Sequence, residues 1–101
     1  MTSRVVITGK DGKPILYASM HGEHLRFEFE YYARTDSESD YEFIHTVFPP
    51  EFPAIAKKFG LDPTADILGT IQEIQDKGLG QELKDALTDK EIVNELFVWS
   101  G

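Results

Sequence analysis

The sequence contains no cysteine, which excludes disulfides, thiolate metal centres and cysteine nucleophiles. A cysteine-free chain suits a reducing compartment. Long hydrophobic runs are also missing, and nothing approaches the roughly 20 apolar residues of a membrane span. The apolar run Val5-Val6-Ile7 gives way at once to Thr8-Gly9-Lys10-Asp11, too short for a signal-peptide core. Together these absences predict a soluble cytoplasmic protein. Positive charge is scarce: ten Lys and Arg face eighteen Asp and Glu, for a formal net charge of −8. Phosphate contacts demand basic surface, so the balance argues against nucleic acid and anionic membranes as partners. Lys57-Lys58, the one basic pair, reads as the solvated face of a helix. No phosphate loop is present, because Gly9-Lys10-Asp11-Gly12-Lys13 has the wrong spacing and is followed by Pro14. No Ser-His-Asp set is readable either. The expectation is a protein that is not an enzyme and carries no cofactor.

What remains is a chain of 101 residues, 41% of them hydrophobic, which reads as a single domain spanning 1–101. The predicted fold class is α+β. A four-stranded antiparallel meander (about 3–48) is followed by three to four helices (about 50–99) packing on the sheet. Asp11-Gly12 predicts a two-residue type I′ hairpin between Arg4–Thr8 and Pro14–Met20. His21-Gly22-Glu23 is a second turn. In the third strand Leu25, Phe27, Phe29 and Tyr31 face one way, and His24, Arg26, Glu28 and Glu30 the other. Alternation blurs after Phe43 in the fourth strand, which suggests burial on both sides there. Pro49-Pro50 stops the sheet. Lys58-Phe59-Gly60-Leu61 and Lys77-Gly78-Leu79 read as helix ends, and Asp62-Pro63 as a helix start. Gly69 inside that helix suggests close packing against a neighbour. Thr88-Asp89-Lys90-Glu91 fits a capping box before a last helix with Ile92, Val93, Leu96 and Phe97 on one face.

Three groups of side chains invite a functional reading. His21-Gly22-Glu23-His24 could clip a metal ion, but a metal site usually needs three or four convergent ligands, so surface turn histidines are the simpler account. His45 shares the parity of Phe43 and Val47 and reads as a hydrogen-bonded core histidine. Glu28 and Glu30 lie roughly 7 Å apart along one strand face. Glycoside hydrolysis can use such a pair, but only in a cleft with one carboxyl of raised pKa.

The third group is the most informative. Between Glu23 and Glu42 seven acids stand against Arg26 and Arg34, a net −5 of the total −8. Phe27, Phe29, Tyr31, Tyr32 and Tyr41 lie in the same stretch. Acids with tyrosine anchors suit a basic protein partner; the bland alternative is a charged face that keeps the protein soluble. In this small, acidic, cysteine-free character the chain resembles the immunity proteins of contact-dependent growth inhibition and related polymorphic-toxin systems. The resemblance implies a stoichiometric inhibitor or antitoxin that neutralises a basic toxin, such as a nuclease. On the residues themselves, the partner-binding candidates are Glu28, Glu30, Tyr32, Asp36, Glu38, Asp40, Tyr41 and Glu42. The competing reading is a small-molecule-binding or scaffolding domain, with Phe27, Phe29, Ile71 and Trp99 lining a pocket between sheet and helices.

Overall fold

The computed structural model describes residues 4–31 and 41–100. Among these residues five strands form one antiparallel sheet: β1 (Arg4–Thr8), β2 (Pro14–His21), β3 (His24–Tyr31), β4 (Tyr41–Val47) and β5 (Glu95–Ser100). Their order in space is their order in sequence, with β5 joining the β4 edge after the helical segment. Between β4 and β5 run a 3-10 turn (Pro49–Glu51) and three helices, α1 (Phe52–Lys58), α2 (Ile67–Asp76) and α3 (Gly80–Thr88).

Alternation along the strands decides which face is dry. Val5 and Ile7 of β1, Leu16 and Ala18 of β2, Leu25 and Phe27 of β3, and Val47 of β4 are buried. They pack with Ile55 of α1, Ile67, Ile71 and Ile74 of α2, and Leu83, Ala86 and Leu87 of α3. The residues between them in each strand point to the other face, which no described helix covers. The far end of β4 is therefore not buried on both sides: His45 and Val47 are buried, while Ile44 and Thr46 are only partly covered.

The two N-terminal turns differ in kind. Gly9 accepts from the Gly12 N–H at 3.0 Å and donates to the Lys13 carbonyl at 2.9 Å. Gly12 sits at φ +80° and Asp11 does not share the left-handed region. This is a type I turn closed by a bulge glycine, longer than the expected type I′ turn. The register slip between Ile7 and Thr8 absorbs the extra residue. His21 pairs directly with His24, so Gly22-Glu23 forms the two-residue turn, with Gly22 at φ +64° as a type II′ turn requires.

Both helix stops close as the sequence suggests. Leu61 donates to the Ala56 carbonyl (2.8 Å) and Leu79 to the Ile74 carbonyl (3.0 Å), the six-to-one bond of a Schellman end. The start of α2 differs. Asp66, not Asp62, caps it, accepting from the Gly69 N–H at 3.1 Å. Asp62 instead bonds the N–H and hydroxyl of Thr64 in a local turn, at 2.8 and 2.7 Å. Gly69 is exposed, and an added Cβ there would come no nearer than 3.9 Å to the Asp66 carboxylate, so it marks no close packing.

The main correction is at the C-terminus. Thr88 ends α3 and starts no helix; Lys90 at φ +62° breaks the path, and residues 95–100 add a fifth strand to β4. Two forces outweigh the helical spacing. Asn94 donates to the Leu87 and Ile92 carbonyls (3.0 and 2.7 Å), adding a second donor to a Leu87 carbonyl that also accepts from the Lys90 N–H at 3.3 Å, and holding the chain away from helix. Leu96-Phe97-Val98-Trp99 also has strand-forming side chains, and β4 offers them a free ladder.

Candidate functional site

Cross-strand register assembles the uncovered face of the sheet from residues far apart in sequence. Val6 pairs with Tyr17, Tyr17 with Glu28, Glu28 with Ile44, and Ile44 with Phe97. A single row thus crosses all five strands, with one acid between apolar and aromatic neighbours. Its ends are open: Val6 is 39% and Phe97 58% exposed. The parallel row on one side runs Arg4, Ser19, Arg26, Thr46 and Glu95. Arg4 stacks over the Tyr17 ring at 4.6 Å, and Arg26 Nε is buried without a hydrogen-bond partner. On the other side the register sets Glu30 against Glu42.

Of the expected partner-binding residues, Glu28 and Glu42 sit half-buried on this face, and Glu30 occupies the register position opposite Glu42. Tyr41 pairs with Tyr31 where the β3–β4 ladder ends. Tyr32, Asp36, Glu38 and Asp40 lie outside the described residues. Sequence reasoning missed Val6, Tyr17, Ile44 and Phe97. Strand parity could have found the first three; Phe97 was hidden by its placement on a helix.

β5 is an edge strand, bonded to β4 alone among the described elements. Edge strands are commonly protected by charge. Here Leu96, Phe97 and Val98 are 48%, 58% and 46% exposed, and Glu95 is the sole charged residue of the strand.

The helix side of the sheet holds a second feature. Helices α2 and α3 pack on β1 and β2. Beside α3, over β2 to β5, a cavity of about 300 Å³ opens, lined by Leu16, Phe29, Phe43, His45, Lys84, Thr88, Lys90 and Leu96. The Lys84 ammonium lies 4.6 Å from the centre of the Phe29 ring. Lys90 Nζ donates to the Asn94 carbonyl (2.9 Å) and to Asn94 Oδ1 (3.2 Å). His45 is the buried, hydrogen-bonded residue its parity suggested, and its Nδ1 lies 2.9 Å from Asn94 Oδ1. Both Asn94 Nδ2 protons are used on backbone carbonyls, so Oδ1 is the acceptor and His45 Nδ1 carries the proton. Burial pushes the His45 pKa down; the Asn94 hydrogen bond opposes this, and Lys90 and Lys84 add to it. The neutral ring leaves Nε2 as an acceptor.

The expected cavity lining is only partly met. Phe29 lines the cavity, whereas Phe27 and Ile71 are wholly buried in the core. The turn histidines do not act together: His21 Nε2 is 3.1 Å from the Ser19 hydroxyl, and His24 packs edge-on against Phe48. Among the described residues no three His, Asp or Glu side chains converge as metal ligands, and no helix is long and apolar enough to cross a membrane. Comparison with protein-family models, curated proteins and solved structures returns no match to this chain.

Proposed function

We propose that this protein is a stoichiometric protein-binding inhibitor, an immunity protein or antitoxin, that acts in the cytoplasm. The uncovered face of its sheet covers a basic toxin, of which a nuclease is the concrete form. The observation that carries the reading is the row from Val6 to Phe97, an apolar and aromatic strip with Glu28 at its centre and Glu30 and Glu42 alongside. Buried aromatic anchors beside charges are how interfaces gain affinity and partner choice. A nuclease site is cationic because it must hold phosphates.

The test is capture of a partner from the source cells, or from the products of neighbouring genes, washed at low and then high salt. A one-to-one basic partner released by salt is expected. The complex should be lost when Glu28, Glu30 and Glu42 are reversed to lysine in a chain that still folds. Unchanged affinity in that variant would sink the assignment. A second reading, small-molecule binding, is favoured by the cavity beside α3.

A further inference from the structure

The cavity beside α3 has a charge opposite to that of the protein. Acids outnumber bases eighteen to ten along the chain. Yet the eight described residues around the cavity include two lysines and a histidine, and no Asp or Glu. Lys84 forms no ion pair with any described residue; its ammonium faces the Phe29 ring instead. Thr88 follows Lys84 by one helical turn on α3, so its hydroxyl lies on the same helix face. Lys90 is held at the rim by two neutral oxygens of Asn94, which leave its charge uncompensated. Asn94 is itself buried, with both its amide protons and its oxygen engaged. The rim is thus built on a fixed support. It also has a backbone cost: Lys90 occupies the left-handed region at φ +62°, where glycine is the usual residue after a helix end. A lysine kept there, with its ammonium drawn back to Asn94, places charge at the cavity mouth at the expense of an easier backbone.

We infer that this cavity is a binding site for a small organic anion, a carboxylic acid with a flat apolar body. The body lies against Phe29, Phe43, Leu16 and Leu96, and the carboxylate meets Lys84, with Lys90 and the Thr88 hydroxyl at the rim. Each alternative occupant conflicts with a feature of the lining. A cation would meet two ammonium groups. A neutral hydrocarbon would leave Lys84 without a counter-charge. A peptide segment is too large for about 300 Å³, which is the small end of ligand cavities. His45 adds selectivity, because its unprotonated Nε2 accepts a hydrogen bond and favours ligands with a hydroxyl or N–H on the apolar body.

The inference rests on the small-molecule reading, and a matched neutral probe separates the two. Phenylacetate and hexanoate are titrated into the isotope-labelled protein, in parallel with phenylacetamide and hexanamide, following backbone amide shifts. Saturable shifts are expected at Phe29, Lys84, Thr88 and Leu96, with the acids binding at least tenfold tighter than the amides. Lys84→Met should remove that preference while leaving the spectrum folded. Lys90→Gly, which relaxes the backbone, should weaken acid binding several-fold without loss of stability. Acids and amides binding alike would overturn the anion assignment while leaving a small-molecule pocket in place. Shifts at none of these amides with any of the four probes would overturn the pocket and the inference together.

Discussion

Gly80 offers the sharpest test of how the helices are seated on the sheet. It is the first residue of α3 and is buried, and a Cβ at this position would collide with the Thr8 carbonyl oxygen and come within 2.7 Å of Ile7 Cγ2. Neither neighbour can yield cheaply. Ile7 is fully buried. Thr8 is pinned to α2 by the Gln75 amide, whose Oε1 accepts from the Thr8 N–H at 2.8 Å and whose Nε2 donates to the Thr8 hydroxyl at 2.7 Å. Overpacking of this kind costs about 1–3 kcal/mol. Gly80 is not in the left-handed region, so alanine meets no backbone penalty and gains at most about 1 kcal/mol of helix propensity. The expected net loss for Gly80→Ala is therefore about 1–2 kcal/mol, or roughly 5–15 °C in melting temperature for a domain of this size. Gly69→Ala is the control. It makes the same chemical change in a helix, with no atom nearer than 3.9 Å, and should be neutral or stabilising by about 0.5 kcal/mol. Urea unfolding followed by far-ultraviolet circular dichroism measures both. If Gly80→Ala is as stable as the parent, α3 does not approach β1 as described and the reasoning fails.

Three further outcomes follow from named contacts. Asn94→Ala should lose about 2–3 kcal/mol in thermal or urea unfolding, because it takes the Asn94 partner from His45 Nδ1 and the Ile92 carbonyl and leaves the Leu87 carbonyl with the Lys90 N–H alone. His45 has its pKa lowered from 6.5, chiefly by burial, so the unfolded chain takes up its proton first; stability should be full above pH 6.5 and fall as pH drops through the folded value. His45→Leu should flatten that part of the stability–pH curve, and an unchanged curve would refute the assignment. Glu42→Gln, which removes one charge from the uncovered face, should weaken capture of a basic partner while changing urea unfolding by no more than about 0.5 kcal/mol; unchanged capture would count against the docking face.

The N-terminal half was legible because its cues are local. In β3, Leu25 and Phe27 alternate with His24, Arg26 and Glu28 over enough residues to fix the period. Gly60 and Gly78 mark their helix ends because a left-handed residue followed by a hydrophobe has few other uses. β5 was not legible. Ile92, Val93, Leu96 and Phe97 match a helical face by count, and a short apolar run cannot be told from a strand by spacing alone. The deciding facts are tertiary: an open edge on β4, and an asparagine side chain that reaches the end of α3. The start of α2 failed for a related reason. Asp62 and Asp66 are both competent caps, and Asp62 is taken by Thr64. The candidate face was half legible, since the acids stand out in sequence while their apolar companions are joined to them only by register.

The same alternation that made the strands readable also ties the two proposed sites together. On β3 the docking face has Glu28 and the cavity has Phe29; on β4 Glu42 and Ile44 alternate with Phe43 and His45; on β5 Phe97 stands between Leu96 and Val98. The same holds on β2, where Tyr17 of the docking row follows Leu16 of the cavity; neighbouring residues of one strand therefore serve opposite faces, and the two sites share four strands without sharing a side chain. Side chains with no common partner contribute nearly independently. Charge reversal at Glu28 and Glu42 should accordingly leave carboxylate binding intact, and Lys84→Met should leave partner capture intact. If one site instead changes the affinity of the other, the effect must be reciprocal and of equal size, because a coupling free energy belongs to the pair. The shared strands, and β5 in particular with β4 as its one neighbour among the described elements, are then the element through which it passes.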